Sequence, residues 1–115
     1  MPSVIRGSDN FDTAGGNAVK AWVNFNGTGT VAIRASFNVS SITDNGTGDY
    51  TVNFTTAMPD AVYAATALIN GGVGGNPSSP YTTTAPTASQ YRVGVRRSDT
   101  FVAQDAEYVN IGFLR

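Results

Sequence analysis

One four-residue stretch occurs twice in this chain, first as Asn26-Gly27-Thr28-Gly29 and again as Asn45-Gly46-Thr47-Gly48. Each copy lies between segments in which apolar and polar residues alternate. Asn-Gly tolerates the positive φ angles that a tight hairpin turn requires, so each copy predicts a turn between two antiparallel strands. The pair of motifs therefore predicts two successive β-hairpins, which define an architecture but not a function.

Alternating apolar and polar residues predict strands in most of the remaining chain. The predicted strands are residues 20–25, 31–39, 50–54, 62–69, 90–96 and 106–114. The alanine-rich strand 62–69 is expected to be buried on both faces. These short strands, separated by turns about every ten residues, are typical of an all-β fold, an antiparallel β-sandwich of six to seven strands.

Two segments lack this alternation. Residues 1–19 contain scattered Gly, Ser, Asp and Asn residues and are predicted to be an N-terminal arm, which leaves residues 20–115 as the sandwich domain. Residues 70–86 are rich in Gly, Pro and Thr and predict a long loop. Long loops in compact domains are usually functional or mobile, so this loop is the first candidate for recognition.

The composition excludes several kinds of chemistry. The 115 residues include no Cys and no His, so disulfides, thiol nucleophiles, Cys–His zinc sites and histidine acid–base catalysis are excluded. The net charge is −1 and only 13% of the residues are charged, about half of the usual fraction. A charge-poor surface matches neither nucleic acid nor an anionic membrane. We therefore expect no nucleic-acid partner, no membrane insertion and no cofactor.

Residues 21–34 (AWVNFNGTGTVAIR) and 36–54 (SFNVSSITDNGTGDYTVNF) together resemble a module that is common in bacteriophage virion proteins. This module is frequent at the C-terminal end of tail fibres from aquatic phages, and the close match spans about residues 21–58. The resemblance implies a β-rich, trimeric module on the exterior of the phage particle. In such a protein the arm 1–19 would attach to other virion proteins, of the baseplate, tail or capsid, or lie between subunits.

Two functions are compatible with this resemblance. In the first, the chain is a short tail-fibre or tip subunit that attaches the virion to a saccharide of the host surface. In the second, it is a capsid decoration protein that stabilises the head shell, because the resembling stretch begins only about twenty residues from Met1. Neither function requires an enzyme. No catalytic or metal-binding residues are expected, and three of the eight acidic residues, Asp44, Asp49 and Asp60, stand at predicted turns, where Asp is favoured for its own hydrogen bonds.

The receptor-binding candidates lie in or beside the loop 70–86. They are Tyr81, Thr83, Tyr91 and Arg92. Exposed tyrosines and arginines recognise saccharides by stacking and by hydrogen bonding. For the two tyrosines, packing inside the domain is the alternative interpretation.

The subunit-interface candidates are Trp22, Arg34, Arg96 and Asp105. Trp22 is the only tryptophan, and it is expected at a core or interface position, with sugar stacking as the alternative. The arginines at positions 34, 92, 96 and 97 are expected to pair with Asp99, Asp105 and Glu107 within or between subunits. Recognition of an acidic glycan or a phosphate is the alternative function of these arginines.

Overall fold

The computed structural model describes residues 18–115, which form eight β-strands and one short 3-10 turn, Val73–Gly75. The strands are β1 (Val19–Asn26), β2 (Ala32–Phe37), β3 (Val39–Gly46), β4 (Asp49–Phe54), β5 (Ala64–Gly72), β6 (Ser78–Tyr81), β7 (Gln90–Arg97) and β8 (Ala106–Leu114). They form two antiparallel sheets of four strands each. The first sheet has the order β2-β1-β8-β5 and the second has the order β3-β4-β7-β6. The predicted all-β class is confirmed, and the two sheets are consistent with the predicted β-sandwich.

The chain before residue 18 lies outside the described residues, and with it nearly all of the predicted arm 1–19. The last residues of that segment belong to the folded domain. The Ala18 N–H donates to the Arg115 carbonyl at 3.2 Å, the Arg115 N–H donates to the Ala18 carbonyl at 3.1 Å, and β1 begins at Val19. None of the described residues forms a helix with the length and apolarity that a membrane crossing requires.

Both predicted hairpins are confirmed. Strands β1 and β2 pair on either side of the first motif, and strands β3 and β4 pair on either side of the second. In the first turn, the Asn26 Oδ1 accepts hydrogen bonds from the Thr28 N–H at 2.9 Å and from the Thr28 hydroxyl at 2.6 Å. In the second turn, the Gly46 N–H donates to Asp44 Oδ1 at 3.0 Å. Short polar side chains therefore stabilise both turns locally, as their residue types predict.

The core lies between the two sheets and is formed by the inward-facing residues of the central strands. These are Ala21, Val23 and Phe25 of β1, Tyr50, Val52 and Phe54 of β4, Val93 and Val95 of β7, and Val109, Ile111 and Phe113 of β8. Along β1, β4 and β8 these buried residues alternate with exposed or half-buried ones, as expected for strands with one inward side. Aromatic rings connect the sheets edge to face, with centroids 5.2 Å apart for Phe25 and Tyr50 and 5.0 Å apart for Phe54 and Phe113.

The single strand predicted over residues 31–39 is wrong, because the chain changes sheets within it. Strand β2 ends at Phe37 in the first sheet and β3 begins at Val39 in the second. Asn38, between them, has a positive φ of 57°, a conformation that Asn adopts more readily than other non-glycine residues. Its side-chain amide donates to the carbonyls of Lys20 and Thr56 and accepts from the Thr56 N–H. The alternating pattern continues through the bend, so it does not reveal the bend.

Two further predictions are wrong. The loop predicted over residues 70–86 contains the end of β5, the 3-10 turn and the whole of β6, which pairs with β7. Pro80 lies in β6 because β6 is an edge strand, whose outer side needs no N–H donor. The predicted burial of both faces of strand 62–69 also fails. Strand β5 is an edge strand of the first sheet, and along residues 64–70 exposed residues alternate with half-buried ones.

Candidate functional site

The two glycine motifs meet at one end of the domain, around Tyr50. The Tyr50 hydroxyl oxygen lies 2.7 Å from the Gly27 carbonyl oxygen and 2.8 Å from Asp105 Oδ1. The same Asp105 oxygen accepts the Gly48 N–H at 2.8 Å. Burial is the main cause that raises the pKa of Tyr50, and the neighbouring Asp105 raises it further. Asp105, a predicted interface residue, is therefore engaged within the subunit as the acceptor that joins the two turns.

The outward side of the first sheet carries an apolar face. This apolar face consists of Val19, Trp22, Phe37, Leu68, Tyr108 and Leu114, and it accounts for six of the ten large apolar side chains that are exposed in residues 18–115. Leu68 is 78% exposed and Trp22 is 39% exposed. Gly112 lies in register between Trp22 and Thr66, and the missing side chain leaves a shallow groove of about 300 Å³ there.

Polar groups border this groove on one side. The Asn24 side-chain N–H donates to Asn110 Oδ1 at 2.7 Å, and Arg34 Nη1 donates to Asn24 Oδ1 at 3.1 Å. The Arg34 guanidinium carbon lies 4.0 Å from the centroid of the Tyr108 ring. Two predicted interface residues, Trp22 and Arg34, thus lie on the same outward side of the first sheet. Arg34 therefore forms a cation–π contact with Tyr108, which is most favourable when the cation is shielded from water.

The outward side of the second sheet carries a polar face instead. This polar face consists of Ser41, Thr43, Asn45, Asp49, Thr51, Asn53, Gln90 and Arg92. Its side chains bond to one another across strands β3, β4 and β7, for example from Asn53 Nδ2 to Thr43 Oγ1 at 2.9 Å and from Gln90 Nε2 to Asn53 Oδ1 at 3.0 Å. Such cross-strand polar pairs keep a solvated face in register.

Arg92, a receptor-binding candidate, is held on this polar face by Asp49. Its Nε and Nη2 donate to the two Asp49 oxygens at 2.9 and 2.6 Å. The bidentate hydrogen bonds from Arg92 lower the pKa of Asp49. The predicted pairing of Arg97 with Asp99 is confirmed, at 2.7 Å, whereas Arg92 pairs with Asp49 rather than with a predicted partner.

Next to the polar face, the Arg96 guanidinium lies between two aromatic rings. Its guanidinium carbon is 4.6 Å from the ring centroid of Tyr81 and 4.8 Å from that of Phe101. We call Tyr81, Arg96 and Phe101 the arginine stack. Tyr81 packs over Gly94, where a Cβ atom would lie 2.5 Å from the ring, so the glycine makes room for the tyrosine. The stack joins a predicted receptor residue, Tyr81, to a predicted interface residue, Arg96.

Tyr91 lies on the inward side of the second sheet, away from Arg92. Its ring centroid is 5.3 Å from that of Phe113 and 6.3 Å from that of Tyr63, and burial raises the pKa of Tyr91. Burial likewise raises the pKa of Tyr63 to about 12, and the Tyr63 hydroxyl donates to the carbonyls of Thr87 and Gln90. A cleft of about 200 Å³ opens beside Tyr91, between the β5 and β6 edges of the sheets. Packing is thus the role that the structure gives to Tyr91.

The four receptor candidates therefore do not form one site. Tyr81 and Arg92 face outward from the second sheet, Tyr91 faces inward, and Thr83 is exposed in the segment between β6 and β7. Phe101 was not among the site residues predicted from the sequence. It directly follows the three-residue turn after β7. An apolar aromatic residue beside Ser, Asp and Thr in that turn is the signal that could have identified it.

In residues 18–115, no three His, Cys, Asp or Glu side chains are placed to hold a metal ion together. Comparison with known proteins gives no further guide to function, since no family model, no curated protein and no solved structure matches this chain.

Proposed function

We propose that this chain is a structural subunit of a phage virion, without catalytic activity, that forms a short tail fibre or fibre tip and attaches the particle to a host-surface saccharide. The observation that carries the proposal is the contrast between the two outward sides of the domain. One side is the apolar face, with Trp22 and Leu68, and the other combines the polar face with the arginine stack. A fibre subunit needs both kinds of surface, one for its own copies and one for the receptor.

The apolar face supports self-association into the proposed homotrimer. Four strands spaced about 4.8 Å apart and about 26 Å long give a face of about 500 Å². Three copies that turn this face towards a common axis would each bury up to about 500 Å² of it. Six of the ten large apolar side chains that are exposed in residues 18–115 lie on this one side of the first sheet, and large exposed apolar patches usually mark interaction sites.

The second outward side supports recognition. Saccharides are bound through aromatic rings and through fixed polar groups, and this side offers Tyr81 and Phe101 as rings beside a rigid network of amides and hydroxyls. Three sites in a trimer would raise a weak affinity per site through effective concentration. The proposal therefore does not require tight binding by one subunit.

A competition experiment tests the attachment function. Host cells are incubated with the purified chain before phage is added, and the adsorption rate is measured. We expect the chain to slow adsorption, the Tyr81→Ala variant to lose this effect, and Val62→Ala, which changes an exposed side chain between β4 and β5 and outside both faces, to retain it. Unchanged adsorption at saturating protein would contradict the attachment function and would favour the capsid decoration protein as the alternative.

A further inference from the structure

Arg96 differs from the other arginines of β7 in having no anionic partner within residues 18–115. Arg92 and Arg97 each donate two hydrogen bonds to one aspartate, Asp49 and Asp99 respectively. Arg96 forms no such pair in this part of the chain, and its Nε is buried without a hydrogen-bond acceptor. A buried donor without an acceptor is costly, so natural proteins rarely keep one unless a ligand or water binds it.

The two rings that enclose Arg96 are held in place by specific features of the backbone. Tyr81 occupies the space above Gly94. Phe101 has a φ of 61°, a left-handed conformation that is rare for a bulky residue, and its side chain is 65% exposed. The Phe101 N–H donates to the Arg97 carbonyl at 2.9 Å, and the Arg97 N–H donates to the Val102 carbonyl at 2.8 Å, which fixes the turn. Residues held in such rarely populated backbone conformations cluster at active sites and ligand-binding sites.

We propose that the arginine stack binds a carboxylate-bearing sugar, with the Arg96 guanidinium bound to the carboxylate and the Phe101 and Tyr81 rings against the pyranose. This inference rests on the proposed function, since it names the class of saccharide that the attachment site takes. A planar guanidinium matches a carboxylate in a bidentate arrangement, and the stacked rings keep it oriented for that contact. A neutral sugar would leave the Arg96 charge without a partner.

The charge distribution favours a small acidic ligand over a polyanion. The net charge of the chain is −1, and Arg92 and Arg97 on either side are already neutralised by aspartates. A polyanion such as nucleic acid requires several unpaired cations along its backbone. The arginine stack provides one, which corresponds to one carboxylate on one sugar.

The binding test uses a uronic-acid oligosaccharide and a neutral oligosaccharide of the same length, titrated into the purified chain by calorimetry. We expect binding of the acidic ligand only, and a loss of about tenfold or more for both Arg96→Gln and Arg96→Lys, because lysine keeps the charge but not the planar fork. Arg34→Gln is the matched control, since Arg34 also stacks on a tyrosine but on the apolar side. It should bind as the unaltered chain does.

A second readout does not depend on how well the variants fold. In the unaltered chain, the Arg96 Nε–H resonance should shift on addition of the uronic-acid ligand and remain in place with the neutral one. Equal binding of both oligosaccharides, an equal loss in Arg34→Gln, or a response to inorganic phosphate but not to the uronic acid would each overturn the inference.

Failure of the ligand assignment can be told apart from failure of the proposed function. If the chain blocks phage adsorption but no uronic acid shifts Arg96, the ligand class is wrong and attachment stands. If the uronic acid shifts Arg96 but the chain never affects adsorption, the site exists and the attachment function is wrong.

Discussion

Asp105 links the two glycine motifs through a single carboxylate oxygen, which accepts from Gly48 N–H and lies 2.8 Å from the Tyr50 hydroxyl. The motifs are identical in sequence, but a different glycine is closely packed in each copy. In the first copy the packed glycine is Gly27, where a Cβ would lie 2.5 Å from the Tyr50 hydroxyl oxygen. In the second copy it is Gly48, where a Cβ would collide with the Val95 carbonyl. The repeat predicted two turns, but not that Tyr50 and Asp105 connect them.

Alanine substitutions at Gly48 and Gly29 distinguish two causes of lost stability, the steric clash of a new Cβ atom and the cost of a left-handed backbone. Their φ angles are 62° and 57°, but the space around Gly29 is open. Gly29→Ala should lower the free energy of unfolding by about 1–2 kcal/mol, because alanine disfavours left-handed backbone. Gly48→Ala should lower it by about 1–3 kcal/mol more, since its Cβ meets fixed backbone atoms. Urea denaturation measures both, and equal losses would contradict the packing described for Gly48.

The buried tyrosines predict a loss of stability at alkaline pH. The pKa of Tyr50 is raised from 10.0 in the folded chain, so the unfolded chain releases this proton at a lower pH than the folded chain does. The stabilisation is complete below pH 10 and is lost as the pH rises towards the folded pKa. The stabilisation from Tyr63 is lost between pH 10.0 and about pH 12, because its pKa rises over that range on folding. Urea denaturation at successive pH values should show a decline above pH 10 that is shallower in Tyr50→Phe, and parallel curves would contradict this account.

At the scale of elements, the crossing between sheets at Asn38 is the step that converts two hairpins into two sheets. Asn38 is the only residue between β2 and β3, and its side chain bonds to the chain at Lys20 and Thr56. The sequence predicted the hairpins because turn residues act locally. It did not predict the crossing, because the apolar alternation of residues 31–39 continues across it and the partners of Asn38 are eighteen residues away.

Substitution of Asn38 tests this crossing. Asn38→Ala should lower the free energy of unfolding by about 2–4 kcal/mol, since it loses the amide hydrogen bonds and places alanine at a positive φ. Asn38→Gly removes the same hydrogen bonds but accepts the backbone conformation, so its loss should be smaller by about 1–2 kcal/mol. Thermal denaturation of both variants measures the difference. If alanine and glycine are equally tolerated, the backbone conformation at Asn38 is not a constraint on the fold.

The candidate site was only partly predictable from the sequence, for reasons that lie at the same scale. Tyr81 was a receptor candidate and Arg96 an interface candidate, yet the pairing of β6 with β7 brings them together in the arginine stack. That pairing was not foreseen because Pro80 and the nearby glycines suggested a loop. Trp22 and Arg34 were both interface candidates, and the structure places them on the same side of the paired strands β1 and β2.

At the scale of the whole molecule, the apolar face predicts self-association. Leu68→Glu introduces a charge at the most exposed apolar side chain of this face and should convert the proposed trimer to a monomer. Thr43→Glu introduces the same charge on the opposite, polar face and should leave the trimer intact. Native mass spectrometry measures the assembly, and the emission of Trp22, the only tryptophan, should move to longer wavelength in Leu68→Glu as water reaches the ring. A monomeric unaltered chain would contradict the interface.

The number of copies per particle tests the proposed function most directly. If the chain is a virion protein as proposed, quantitative mass spectrometry of the purified virions gives that number against a capsid protein of known count. An exterior fibre or tip subunit that assembles as a trimer predicts from a few to a few tens of copies, in a multiple of three. Hundreds of copies would contradict the fibre and identify a head decoration protein, and absence from the particle would contradict a virion function altogether.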